Sequence, residues 1–156
     1  MSKRLAFDSL HRQGLCHCES AASVRERTEA PAETGYRWSI GKTLFILNDP
    51  PYGTERSYNA LRLAGSLSRA PGEEVRTFLI GDAAACAKSG QKVPEGFYNV
   101  QLMVGKIARS GAQVGVCGTC MDARGLTDAE LVEGARRSTL AELSSWTQWA
   151  EKVIVF

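Results

Sequence analysis

The apolar run Lys42-Thr-Leu-Phe-Ile-Leu47 and a second run, Val75-Arg-Thr-Phe-Leu-Ile80, flank a single helical stretch. Runs of strand length with no polar alternation suit central strands covered on both faces. Asn48-Asp-Pro-Pro-Tyr-Gly53 closes the first run with residues that favour turns. Thr54 is expected to cap the helix that follows, with Glu55 in its first turn facing the positive end of the dipole. Ala60, Leu63, Ala64 and Leu67 fall on one face at helical spacing, and Pro71-Gly72 stops the helix. A strand, a crossover helix and a strand pair in parallel, so this stretch predicts an α/β sheet with helices against it.

The remaining chain continues the alternation. Gly81-Asp82 forms a loop, Ala83 to Lys88 reads as a short helix, and Cys86 within it reads as a small core residue. A helix from Tyr98 to Arg109 carries the apolar stripe Val100, Met103, Val104 and Ile107, with Gly111 just past its end. Thr127-Asp-Ala-Glu130 and Thr139-Leu-Ala-Glu142 are capping-box patterns. The first predicts a short helix to Gly134, and the second a longer one with Leu140, Leu143, Thr147 and Ala150 inward. Ala135 to Ser138 fits an edge strand between them, and Lys152-Val-Ile-Val-Phe156 a terminal strand. Trp146 and Trp149 flank the inward stripe as core margin or subunit contact. The expected architecture is a three-layer α/β/α sandwich with a mainly parallel sheet.

Gln113 to Gly125 concentrates the chemistry. Val114 and Val116 mark a short strand, and Cys117 and Cys120 follow on the expected loop at its end. Ligand crevices in open α/β sheets lie at the carboxyl ends of strands. Backbone N–H groups near a helix start and the Arg124 charge would lower a thiol pKa from its usual value of about 8.5. Asp122 acts in the opposite sense, and such a pair as Asp122 and Arg124 is more often a local ion pair on a loop than a set of catalytic groups. With Gly118 and Thr119 in a turn, the spacer permits the ~5.5 Å Cα separation of a disulfide. The expected catalytic set is Cys117, Cys120 and Arg124, with Cys117 as the low-pKa thiol. Gly118, Thr119, Asp122, Asn48, Tyr52 and Asp82 are supporting candidates. The loop from Asn48 to Thr54 precedes a helix and could hold an anion, but it has no Walker Lys-Ser/Thr and no G-x-G-x-x-G.

Composition narrows the classes. A net charge of +2 with no basic cluster points away from nucleic acid. No apolar run approaches the ~20 residues of a membrane span, and the N-terminus lacks the pattern of a signal peptide. The cytoplasm is the expected compartment, where the five cysteines would be mostly reduced. Residues 1–39 have no sustained apolar periodicity and are expected to form a poorly packed extension before a domain at 40–156. Cys16-His17-Cys18, with His11, lacks the usual zinc spacing, so no metal and no cofactor is expected. His11 and His17 both lie in that extension, which leaves 40–156 without a histidine and argues against a Cys-His hydrolase.

Asn48-Asp-Pro-Pro-Tyr-Gly-Thr-Glu-Arg-Ser-Tyr-Asn-Ala-Leu-Arg-Leu-Ala64 and Cys117-Gly-Thr-Cys-Met-Asp-Ala-Arg-Gly125 resemble the YchN-like branch of the DsrE family. Gly81-Asp82, Gln91, Tyr98-Asn-Val-Gln101, Thr139-Leu-Ala-Glu-Leu143 and the closing Lys-Val-Ile-Val-Phe extend the likeness from Lys42 to Phe156. The resemblance implies a five-stranded, mostly parallel sheet and assembly as a homotrimer or homohexamer. Relatives in the sulfur-relay branch carry sulfur as a persulfide on a cysteine that ends a strand, eight residues before a glycine; Cys117 and Gly125 keep that spacing. The resemblance thus implies a sulfurtransferase-like carrier with protein donors and acceptors. Cys120 departs from the relay pattern and would modulate or resolve a persulfide. The alternative is an oligomeric binding or scaffold protein whose cysteines are structural or redox-sensing.

Overall fold

Five strands, all parallel, run in the order β4-β3-β2-β1-β5 in a computed structural model that describes residues 41–156. The expectations for residues 1–39, including His11 and Cys16-His17-Cys18, lie outside the described residues. The strands are β1 (Gly41–Leu47), β2 (Glu73–Leu79), β3 (Gln113–Cys117), β4 (Ala135–Ser138) and β5 (Lys152–Val155). The helices are α1 (Arg56–Leu67), α2 (Val100–Arg109), α3 (Gly118–Asp122) and α4 (Leu140–Trp149), with 3₁₀ segments at Gly81–Ala87 and Asp128–Glu130. The terminal strand returns beside β1, where the Asn48 N–H donates to the Phe156 carbonyl at 2.9 Å.

The two-residue period of the strands divides the core. Phe45, Leu47, Val75, Leu79, Val114 and Val116 pack with α1 and α2 on one face. Leu44, Phe78 and Cys117 point to the other face, where Leu143 and Trp146 of α4 cover them. Helices therefore lie on both sides of the sheet, in the expected three layers. Gly115 sits on the α4 face, where a Cβ would meet Trp146 at 3.1 Å and Phe78 at 3.2 Å. The missing side chain is what lets the Trp146 indole rest on β3, edge-on to Phe78 with ring centroids 5.9 Å apart.

Several local readings are corrected. Thr54 does not cap α1; its hydroxyl donates to Asp49 at 2.8 Å, and Glu55 occupies the cap position without a side-chain bond. Leu61 rather than Leu63 faces the core, because the buried face of α1 is set by α2 as well as by the sheet. The capping box at Thr127 is present but encloses one 3₁₀ turn, not a helix to Gly134. The second box is half formed: Thr139 accepts from the Glu142 N–H at 3.2 Å, but the Glu142 carboxylate turns to Arg136 and Ser138 instead of the Thr139 N–H. Trp146 takes the inward place expected for Leu140, which is left exposed at the first turn. Among the described residues no helix is long and apolar enough to cross a membrane.

Candidate functional site

Cys117 is the last residue of β3 and the N-cap of α3. The strand hands its chain directly to a helical turn, so Cys120 rides on α3 and not on the loop expected from its glycine-rich surroundings. An N-cap side chain lies beside the first free N–H groups of its helix. Thr119 Oγ1 is 3.2 Å from Cys117 Sγ. Burial opposes ionisation of Cys117, but hydrogen bonds from the Thr119 hydroxyl, the Cys120 thiol and the N–H groups of Cys120 and Thr119 together hold its pKa below the usual thiol range. Cys117 is 6% exposed, at the edge of an open groove of about 670 Å³. Asp122, Asp128, Arg137 and Thr139 also line that groove.

Cys120 is half-buried and faces the end of β2. Gly81 adopts φ +60°, a conformation that suits glycine, and directs its N–H at Cys120 Sγ over 3.2 Å. Burial pushes the Cys120 pKa up, reinforced by its hydrogen bond to Cys117 and repulsion from a Cys117 thiolate; the Gly81 N–H and the Arg124 charge oppose this. The neighbouring thiols are thus held in opposite senses: Cys117 towards thiolate, Cys120 towards thiol.

Asp122 and Arg124 do not pair with one another. Arg124 donates to Asp82 at 2.6 Å and to the Cys120 carbonyl at 2.9 Å. Asp122 pairs with Arg137 at 2.9 Å, which holds its carboxyl below the usual range. The guanidinium of Arg124 acts on Cys120 rather than on Cys117. Asp82 therefore joins the site through Arg124. Asn48 and Tyr52 do not reach Cys117. Asn48 ties β1 to the chain end, with its side-chain amide 3.2 Å from the Phe156 carbonyl. The Tyr52 hydroxyl donates to Gln91 at 2.7 Å, and its ring lines a separate apolar depression with Phe97 and Tyr98.

Sequence reasoning missed Arg137, Ser138 and Asp128. The strand reading of Ala135–Ser138 held the signal: a parallel edge strand beside β3 brings Ser138 opposite Cys117. Among the described residues no group of three or more His, Cys, Asp or Glu side chains is placed to hold a metal ion.

The sequence model of the DsrE/DsrF-like family matches residues 41–156. Protein YchN of Escherichia coli K12 is 39% identical over 116 residues, which is 74% of this chain and 98% of that protein. An uncharacterized protein of Methanopyrus kandleri is 37% identical over 111 residues, 71% of this chain and 90% of its own length. The crystal structure of the E. coli YchN protein superposes with a TM-score of 0.71 at 38% identity, covering 74% of this chain and 99% of that one. A Methanobacterium thermoautotrophicum protein of unknown function shares the fold alone, with a TM-score of 0.59 at 11% identity, over 74% of this chain and 99% of that one.

Proposed function

Because the chain belongs to the DsrE/DsrF-like family, we propose that it is a cytoplasmic sulfur carrier that holds a persulfide on Cys117. The observation that carries this reading is the placement of Cys117 Sγ at a strand end, beside Thr119 Oγ1 at 3.2 Å and at the edge of an open groove. A thiolate is the nucleophile in sulfur transfer. Cys117 attacks the outer sulfur of a donor persulfide, R–S–SH. The bond between Cys117 Sγ and that sulfur forms, the S–S bond of the donor breaks, and R–S⁻ leaves with the electron pair and takes a proton from water. No net oxidation occurs. An acceptor thiolate reverses the step, and the donors that stabilise the Cys117 thiolate stabilise it as leaving group.

Incubation of the full chain with a cysteine desulfurase and cysteine, followed by intact mass, tests this. The expected product is one added sulfur, about 32 Da, that a dithiol reductant removes and that Cys117→Ser abolishes. No adduct on the wild type overturns the reading in favour of a scaffold with structural or redox-sensing cysteines, and an adduct that survives in Cys117→Ser overturns the assignment of the persulfide to Cys117.

A further inference from the structure

All three nitrogens of the Arg137 guanidinium are engaged. Nε lies 2.7 Å from Asp128 Oδ1, Nη2 lies 2.9 Å from Asp122 Oδ1, and Nη1 donates to the Gly118 carbonyl at 3.2 Å. The side chain crosses so closely over Gly118 that a Cβ there would come within 2.9 Å of Nη1. A guanidinium held at each of its three nitrogens is fixed as a clamp, although Nη1 and Nη2 each keep a second N–H. It ties β4 to both the first residue and the last residue of α3, and to the 3₁₀ segment beyond.

We infer that Arg137 is a positioning residue for Cys117: by holding the Gly118 carbonyl and Asp122, it fixes the turn whose donors surround the Cys117 sulfur. The inference rests on Cys117 being the reactive thiol of the proposed function, but not on the identity of the sulfur donor. Other charged groups around the turn are internally paired, with Arg124 on Asp82 beyond Cys120, and Glu142 of α4 on Arg136.

Two explanations of an Arg137 effect make opposite predictions. If Arg137 acted only by its charge, Arg137→Lys would behave as the wild type, and neutralising Asp122 or Asp128 would favour the thiolate. A clamp gives the reverse. The single ammonium nitrogen of Lys cannot span acceptors spread around three guanidinium nitrogens, and loss of either carboxylate loosens the guanidinium. The measurement is iodoacetamide alkylation of the full chain against pH, with Cys117 followed by peptide mass mapping. Buried Cys86 serves as the folding control, because it stays unmodified while the core is intact. Arg137→Met, Arg137→Lys, Asp122→Asn and Asp128→Asn should each move the Cys117 profile to higher pH, slowing alkylation at pH 7 by about three- to tenfold for the two Arg137 variants. Faster alkylation in the Asp variants, or an unshifted profile in Arg137→Lys, overturns the inference. If Arg137→Met exposes Cys86, the sign of the two Asp variants decides. A wild-type Cys117 that titrates as an ordinary thiol overturns the inference and the carrier reading together. A depressed wild-type profile without sulfur loading sinks the carrier reading alone.

Discussion

Arg124 binds Asp82 across the top of the sheet, with Nη2 2.6 Å from Oδ1, in preference to Asp122 two residues before it. The pair fastens the end of α3 to the segment whose Gly81 N–H faces the Cys120 sulfur.

Replacement of Arg124 by Ala therefore separates the two thiols. The Coulombic support it removes belongs to Cys120, whose pKa should rise further, while the Cys117 profile stays near that of the wild type. The stability cost should be under about 1 kcal/mol, because the Asp82 carboxylate is largely exposed and water screens the pair. Alkylation rates at both cysteines and a urea melt check this; a slowed Cys117 with unchanged Cys120 would reverse the assignment.

Cys86 makes stability depend on alkaline pH. Burial pushes its pKa up to about 12, against weaker opposing bonds from Ser57 and its own backbone. The unfolded thiol ionises near its usual value, whereas the folded one stays neutral. Its contribution is fully present below the unfolded pKa and is lost as pH rises towards the folded value. Between pH 9 and 12, Cys86→Ala should lose stability less steeply than the wild type, by up to about 1.4 kcal/mol per pH unit. Urea midpoints across that window test it, and parallel curves would refute it.

Gly115 and Trp146 should couple. Gly115→Ala places a methyl 3.1 Å from the indole, 3.2 Å from Phe78 and 3.2 Å from Ser138, and should cost about 1–3 kcal/mol. Trp146→Ala should cost about 3–5 kcal/mol through the cavity it leaves. In the double variant the methyl occupies part of that cavity, so the sum of the single losses should exceed the measured loss. Simple additivity in chemical denaturation would mean that the two groups do not compete for space.

Assembly as a trimer or hexamer is proposed from the family likeness. Phe97, Leu140 and Val155, 70%, 67% and 61% exposed, are apolar groups that a subunit contact would cover. Sedimentation at micromolar concentration should give a multiple of the 16.9 kDa chain, and a lone monomer would remove the proposal.

The sequence by itself determined the alternation of strands and helices, the position of Cys117 at a strand end, and the caps at Thr127 and Thr139. These depend on apolar period and on bonds spanning a few residues, which local sequence carries. The inward face of α4 was only half legible, because Trp146 turns to the core only where Gly115, thirty-one positions earlier, leaves room for it. The helical turn of the C-x-x-C segment is not legible locally, since its small and polar residues have weak helix preference and the turn is held by contacts from elsewhere. Tertiary structure alone decided the ion pairs. Arg124 had Asp122 near in sequence and Asp82 near in space, and the order β4-β3-β2-β1-β5 brings the second within reach. The same order lays β4 beside β3 and Arg137 over Gly118. Charges choose partners by distance after the sheet has assembled, and local sequence does not encode that distance.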